Sequence, residues 1–198
     1  MFDGIMMKGS LALLVILMGA VFFWQPLQAT FSGVSVTNDF VLQTADGAVD
    51  TRQLRGKALA LVFGSVNCAA ACAERIAKTA QAYDMLSSAE RGQVQMILVT
   101  VDPERDTPAR IRDYARGIHR ELLGATGTPQ EIKAVTDAFG ADFRRFDLAG
   151  GDYGVTANAL TYLIAPDGRF VSVLNEMVPP QQIAAALRAR LPALLPPR

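Results

Sequence analysis

Two long apolar runs with a helical repeat between them dominate the middle of the chain. Residues 58–63 (ALALVF) end at Gly64, and residues 93–101 (QVQMILVTV) are followed by Asp102-Pro103. Apolar runs of this length are typical of strands that are buried on both faces of a sheet. Between the runs, apolar residues recur every three or four positions, at Ile76, Ala80, Tyr83 and Leu86. That spacing predicts an amphipathic helix, and the strand–helix–strand unit predicts parallel pairing through a right-handed crossover.

Turn and capping signals predict the elements on either side of this unit. Asp46-Gly47 is a favoured hairpin turn, and it predicts a short hairpin within residues 40–49. Thr107-Pro108 and Thr128-Pro129-Gln130-Glu131 carry the start signals of two helices. The remaining predicted elements are an antiparallel hairpin of Ala159–Ile164 and Arg169–Leu174 and a last helix from Pro180 to Arg190. The order βαβα(α)ββα predicts an α/β thioredoxin-like sandwich with an N-terminal β-hairpin extension, and another α/β sheet is the alternative.

The N-terminal segment has the character of an export signal. Residues 11–24 are uncharged and apolar behind Lys8, and a helix of that length rises about 21 Å against a hydrocarbon core of about 30 Å. The segment is either a signal peptide cleaved near Ala29 or an uncleaved inner-membrane anchor. Leu27 favours the anchor, because small side chains are preferred three residues before a cleavage bond. Both interpretations predict a body that faces the periplasm, where disulfides persist. The expected boundaries are 1–29 for this segment, 30–39 for a linker, 40–191 for one domain and 192–198 for a tail.

Composition and charge exclude several classes of protein. Apolar types make up 51% and charged types 19% of the 198 residues, so the chain is neither disordered nor collagen-like. Nineteen Lys and Arg balance nineteen Asp and Glu, and no nucleic-acid partner is expected, because phosphate binding requires a basic face. Two cysteines and one histidine, His119, exclude a zinc site with four Cys or His ligands and leave one disulfide or one small thiolate site.

The cysteines are four residues apart where the first apolar strand meets the following helix. Cys68 is expected in the loop or helix cap and Cys72 in the first helical turn, at the edge where active sites of open α/β sheets collect. Backbone N–H groups and the positive end of the helix dipole stabilise a thiolate there. The spacing brings both sulfurs to one face, so they can close a disulfide or bind a soft metal ion. A purely structural disulfide is the alternative, although closing so small a loop removes little chain entropy.

Four sequence motifs follow one another along residues 40–191. They are Phe63-Gly-x-x-Asn67-Cys68-x-x-x-Cys72, Val99-Thr-Val-Asp102-Pro-Glu-Arg-Asp-Thr-Pro108, Leu123-Gly-Ala-Thr-Gly-Thr-Pro129 and Thr161-Tyr-Leu-Ile-x-Pro-Asp-Gly168. In this order they resemble the successive signatures of the SCO (SenC) family. The resemblance implies a thioredoxin fold, an N-terminal membrane anchor and a role in assembling the binuclear copper centre of cytochrome c oxidase. It also implies that the two cysteines bind copper together with a distant histidine, or act as a dithiol reductant.

The chain departs from the family pattern at that histidine. The family places it just before the Thr161-Tyr162-Leu163 strand, where this chain has Thr156-Ala157-Asn158, and Ala157 has no ligating atom. His119 lies between two predicted helices, is not expected near the cysteines, and is interpreted as a solvated loop residue. Candidates for a weak third contact to copper are Met177, Asn158 and Tyr162.

The residues therefore support two functions of different classes. The first is a copper metallochaperone that carries Cu(I) on Cys68 and Cys72, because a soft ion is satisfied by thiolates whereas Cu(II) prefers nitrogen ligands. The resemblance implies that its partner is the copper-binding subunit of cytochrome c oxidase or another periplasmic thiol or copper protein. The second is a metal-independent thiol–disulfide oxidoreductase that reduces partner cysteines. The charged residues of 102–106 are interpreted as an ion-paired, helix-capping loop or as a surface that tunes the cysteines or docks a partner.

Overall fold

The computed structural model describes residues 38–68, 70–157 and 160–191. In this part of the chain the strands are β1 (Val41–Thr44), β2 (Gly47–Asp50), β3 (Ala58–Gly64), β4 (Val94–Thr100), β5 (Leu122–Ala125), β6 (Phe143–Asp147), β7 (Tyr153–Ala157), β8 (Thr161–Ile164) and β9 (Phe170–Leu174). The helices are α1 (Ala70–Asp84), α2 (Ser88–Arg91), α3 (Pro108–Ile118), α4 (Pro129–Phe139) and α5 (Pro180–Arg188). The predicted signal or anchor segment and the predicted tail lie outside the described residues. Within the described ranges, no helix is both long enough and apolar enough to cross a membrane.

A five-stranded sheet in the order β5-β4-β3-β8-β9 forms the centre of the domain. β3 pairs parallel with β4, from Ala58 opposite Val94 to Gly64 opposite Thr100, and β4 pairs parallel with β5. β8 joins the other side of β3 in the antiparallel direction, and β9 pairs antiparallel with β8. The parallel β3–α1–β4 unit and the β8–β9 hairpin are both as predicted, and the thioredoxin-like fold is confirmed.

Both faces of β3 are covered, which explains why its sequence is an uninterrupted apolar run. Its alternate side chains enter two separate core clusters because successive strand residues point to opposite faces. Ala60 packs in the first cluster with Ile76 of α1, and Phe63 packs in the second with Phe139 of α4. Every residue of β3 is buried, so each position requires an apolar or small side chain.

The helix boundaries follow the capping signals in the sequence. The Thr107 hydroxyl accepts the N–H of Arg110 and caps α3, and Thr128 and Glu131 form a reciprocal capping box at the start of α4. Gly140 ends α4 with φ 61°, a left-handed conformation that favours glycine. The helix starts were therefore predictable from local backbone chemistry.

The predicted element order omits three strands that the structure contains. β5 has only four residues between two helices, and its Gly124 lets α3 approach so closely that a Cβ would lie 2.5 Å from the Ile111 carbonyl oxygen. β6 is exposed at every position, so no alternation of buried and exposed residues marks it. β7 pairs antiparallel with β6, so the two strands were missed together. The last helix also ends at Arg188 rather than at the predicted Arg190.

Candidate functional site

The two cysteines lie where the end of β3 leads into α1. The Cys68 N–H donates to the Ser65 carbonyl oxygen over 3.2 Å and closes a turn, and α1 begins two residues later at Ala70. Cys72 lies in the first turn of α1 and is only 3% exposed, whereas Cys68 is half-buried. The cysteines form a disulfide with their Cα atoms 5.8 Å apart, an ordinary separation for a bridge. A Cβ on Gly64 would lie 3.2 Å from the Cys72 Sγ, so the absent side chain leaves room for this sulfur.

After reduction of the disulfide, Cys68 is expected to react with iodoacetamide at least about tenfold faster than Cys72. The reason is access, because Cys72 is buried and Cys68 is not. Timed labelling followed by peptide mass analysis measures the two rates in the folded protein, and the same labelling in guanidinium chloride is the control. Equal rates in the folded protein would contradict this assignment of the accessible thiol.

A buried carboxylate in the segment between β4 and α3 holds the cysteine turn. Asp106 is fully buried and accepts the Val66 N–H over 3.1 Å and the Thr100 hydroxyl over 2.6 Å. Burial raises the pKa of Asp106 above its usual value of 3.8, and these two hydrogen bonds act in the opposite direction. The sequence left open whether Asp106 caps a helix or lies against the cysteines. In the structure it is a buried partner of the cysteine turn, and Thr107 caps α3.

As the pH falls from 7 towards 4, the free energy of unfolding of the native protein is expected to rise relative to that of Asp106→Asn. Because the pKa of Asp106 is higher in the folded state than in the unfolded state, the folded protein takes up the proton first. Below the folded-state pKa the desolvation penalty of the charge is gone, so the free energy of unfolding rises. Urea unfolding of both proteins across this range measures the difference. A difference that is independent of pH would contradict the raised pKa.

The β6–β7 hairpin brings a second strand beside the cysteine turn. Val155 of β7 forms an isolated parallel bridge with Cys68, and Ala157 lies two residues further along the same strand. Ala157 is 8% exposed and belongs, with Val155, to the second core cluster. Position 157, which carries the histidine in the family pattern, therefore lies on the strand next to Cys68. Asn158 lies outside the described residues.

Arg105 connects this hairpin to the segment that follows β4. Arg105 donates from Nε to Asp102 Oδ2 over 2.6 Å and from Nη1 to the Tyr153 carbonyl oxygen over 2.8 Å, and its guanidinium lies 3.5 Å from the Tyr153 ring centroid. The Tyr153 hydroxyl donates to Asp102 Oδ1 over 2.9 Å. Burial and this hydrogen bond raise the pKa of Tyr153. The ion-paired loop predicted at residues 102–106 exists, and it also positions β7, a role that the sequence pattern did not reveal.

His119 lies in a loop away from the cysteines, as expected, but the prediction that it is solvated is wrong. Its side chain is only 15% exposed, because the ring packs edge-on against Tyr83 with centroids 5.5 Å apart. Nδ1 accepts the Glu121 N–H and Nε2 lies 3.1 Å from Asp84 Oδ1, so both ring nitrogens have partners. The residue borders a cavity lined also by Val94 at the start of β4, at the end of the strands opposite the cysteines. His119 therefore does not serve the cysteine site.

The other candidates for a third contact lie in different environments. Tyr162 is 1% exposed on β8 and packs edge-on against Phe63 with centroids 5.3 Å apart. Met177 is 85% exposed in the segment after β9. Within residues 38–68, 70–157 and 160–191, no group of three or more His, Cys, Asp or Glu side chains is placed to hold a metal ion. The metal-binding groups that the geometry brings together are the sulfurs of Cys68 and Cys72.

The fold and the site define a thioredoxin-like dithiol protein. The cysteine pair lies at the start of a helix that follows a buried parallel strand, and Cys68 is half-buried whereas Cys72 is buried. Such a pair can exchange disulfides with a partner, or its two thiolates can bind a soft ion.

The chain belongs to the SCO1/SenC family, whose sequence profile matches residues 29–192. Protein SCO1 homolog 1, mitochondrial, of Arabidopsis thaliana is 32% identical over 138 residues, which are 69% of this chain and 41% of that protein. The chain thus spans less than half the length of that relative. Copper-bound ScoI of Bradyrhizobium japonicum is similar with a TM-score of 0.67 and 33% identity, over 77% of this chain and 98% of that one. BsSco, a Sco-family cytochrome c oxidase assembly protein with an identified disulfide switch, gives a TM-score of 0.60 and 25% identity, over 78% and 92% of the two chains.

Proposed function

We propose that the protein is a copper metallochaperone that carries Cu(I) on Cys68 and Cys72 for assembly of the copper centre of cytochrome c oxidase. The observation that supports it best is the pairing of an accessible and a buried cysteine at one helix start. The copper-bound state of a relative with the same fold adds to this support. Cys68 is the sulfur that an acceptor thiolate can approach first, so the ion can pass by stepwise ligand exchange.

The cargo is proposed to be Cu(I) rather than Cu(II). A soft ion with a filled d shell is satisfied by two thiolates, whereas Cu(II) favours additional nitrogen ligands in a tetragonal arrangement. Ala157 offers no ligand on the strand beside Cys68, and both nitrogens of His119 are already hydrogen-bonded at the opposite end of β4. Two equivalents of Cu(II) added to the reduced protein are expected to oxidise the two thiols to the disulfide, with release of two protons, and to leave as two Cu(I) ions.

A metal-independent thiol–disulfide oxidoreductase is the second candidate, and the disulfide between Cys68 and Cys72 favours it. In this function the Cys68 thiolate attacks a partner disulfide and releases one partner thiolate, which takes up a proton. Cys72 then attacks the Cys68 sulfur, releases the second partner thiol and leaves the Cys68–Cys72 disulfide. Two electrons pass to the partner, and an external thiol reductant restores the dithiol. The absence of a histidine at position 157 does not affect these steps.

Transfer to the soluble copper-binding domain of the oxidase subunit separates the two candidates. The reduced protein, with and without one equivalent of Cu(I), is mixed anaerobically with the metal-free domain in its dithiol or disulfide form. We expect Cu(I) to move to the dithiol domain while Cys68 and Cys72 remain thiols. Reduction of the disulfide domain by the copper-free protein, with no transfer of Cu(I) to the dithiol domain, would replace the chaperone by the oxidoreductase.

We also propose that residues 1–29 hold the domain at the inner membrane with its cysteines in the periplasm. The uncharged apolar residues 11–24 behind Lys8 support this proposal. An alkaline phosphatase fused after Thr30 is expected to be active, and the protein is expected to stay in membranes after carbonate washing. A soluble species that starts near Thr30 would replace the anchor by a cleaved signal peptide, and an inactive fusion would contradict export.

A further inference from the structure

One neighbouring segment holds both central residues of the turn that carries Cys68. The turn is closed by the hydrogen bond from the Cys68 N–H to Ser65, and its central residues are Val66 and Asn67. The Val66 N–H donates to Asp106. The Asn67 side-chain oxygen accepts from Arg110 Nη2 over 3.0 Å. Asp106 immediately precedes the cap of α3 and Arg110 lies in the first turn of that helix, so both contacts come from the start of one element.

The two contacts differ in strength because their surroundings differ. Asp106 is fully buried, its own N–H donates to the Asp102 carbonyl oxygen over 2.9 Å, and the Thr100 hydroxyl donates to its carboxylate. Hydrogen bonds inside the protein are stronger than those at the surface, because water does not compete for the donor and the acceptor. Arg110 is exposed, so its bond to Asn67 is screened by solvent and contributes less. Asp106 is therefore the main attachment of the turn.

We propose that Asp106 is a positioning residue that holds the Cys68 turn where the two sulfurs can meet. This inference rests on the proposed use of Cys68 and Cys72 as one dithiol site, whether for Cu(I) or for disulfide exchange. Cys72 is fixed by its place in α1 and by burial, so the freedom of Cys68 decides how often the sulfurs come within bonding distance. Asp106 limits the movement of Cys68 because it accepts the N–H of Val66, a central residue of the turn that carries Cys68.

Three substitutions of Asp106 and one control substitution distinguish the positioning role from an effect of the charge of Asp106 and from a general loss of stability. Asp106→Ala removes the acceptor, and the equilibrium constant for oxidising the dithiol by glutathione is expected to fall about tenfold, which for two electrons is about 30 mV. Asp106→Asn keeps a side-chain oxygen that can accept both hydrogen bonds, so its constant is expected to stay within about twofold to threefold of the native one. Asp106→Ser, which is too short to reach Val66, is expected to resemble Asp106→Ala. Asp113→Asn, on the exposed side of the same helix, is the matched control and is expected to change nothing.

The equilibria are measured by alkylation and mass analysis at a temperature where circular dichroism shows every variant folded, and Cu(I) competition titrations are run in parallel. Native-like constants for Asp106→Ala would overturn the positioning role alone, provided that the native protein binds Cu(I) and forms the disulfide reversibly. An Asp106→Asn constant as low as that of Asp106→Ala would also overturn it, because charge rather than hydrogen bonding would then be responsible. A native protein with neither Cu(I) binding nor a reversible disulfide would overturn the proposed function and this inference together.

Discussion

Replacing Ala157 with histidine is expected to give the reduced protein a stable Cu(II) complex with an intense sulfur-to-copper charge-transfer band. The new imidazole adds a nitrogen ligand to the two thiolates, the combination that Cu(II) prefers. β7 runs beside the cysteine turn through the Cys68–Val155 bridge, and position 157 follows on that strand. Optical and electron paramagnetic resonance titrations measure the complex. Because Ala157 is buried, the larger side chain is expected to reduce the free energy of unfolding by about 1–3 kcal/mol.

Thr156→His is the matched control for this substitution. Thr156 is the neighbouring residue on β7, and it is exposed because adjacent strand residues point to opposite faces. It is expected to leave Cu(II) binding as weak as in the native protein. If Ala157→His also changes nothing while remaining folded, position 157 does not approach the sulfurs, and copper carriage becomes the weaker of the two candidate functions.

Removing either sulfur is expected to weaken Cu(I) binding by more than about a hundredfold. Loss of an outer hydrogen-bond partner of a metal ligand already lowers affinity by about tenfold to a hundredfold, and loss of a ligand is a larger change. The site brings together two sulfurs, so Cys68→Ser or Cys72→Ser leaves a single thiolate. Competition with a chromophoric Cu(I) chelator under anaerobic conditions measures the affinity of each variant.

The double variant Cys68→Ser, Cys72→Ser serves as the blank, and Met177→Leu tests the exposed thioether. Met177 is 85% exposed, so its loss is expected to change Cu(I) affinity less than about threefold. A single-cysteine variant that keeps native affinity would show that one cysteine is not a ligand. A large loss in Met177→Leu would assign the thioether to the site instead.

The central part of the fold was predictable because its signals are local. β3 and β4 have apolar sequences because both faces of the sheet are covered. The starts of α3 and α4 were predictable because Thr107 and Thr128 cap them. The cysteine site was predictable for the same reason. A spacing of four residues at the end of a buried strand places both sulfurs at one helix start.

The surroundings of the site depend on contacts between distant residues, which a single sequence does not reveal. β6 and β7 are placed by Arg105, which reaches the Tyr153 carbonyl oxygen 48 residues away. The pattern Phe143-Arg-Arg-Phe-Asp147 is exposed throughout and has no period of two. The burial of His119 was missed because it depends on the ring of Tyr83, 36 residues earlier. The sequence could not decide between a helix-capping role and a contact with the cysteines for Asp106, because its partner, the Val66 N–H, is a backbone group without a sequence signal.

The central claim is that Cys68 and Cys72 form a dithiolate site selective for Cu(I), and titration of the reduced protein with each oxidation state of copper tests it most directly. Anaerobic competition titrations with Cu(I) and Cu(II) on the same preparation, with free thiols counted after each addition, give both affinities and the fate of the sulfurs. The account predicts one Cu(I) per chain with both thiols protected from alkylation, and no stable Cu(II) complex, with thiols lost to the disulfide instead. Tight Cu(II) binding by the native protein, or Cu(I) binding no stronger than that of Cys68→Ser, Cys72→Ser, would contradict it.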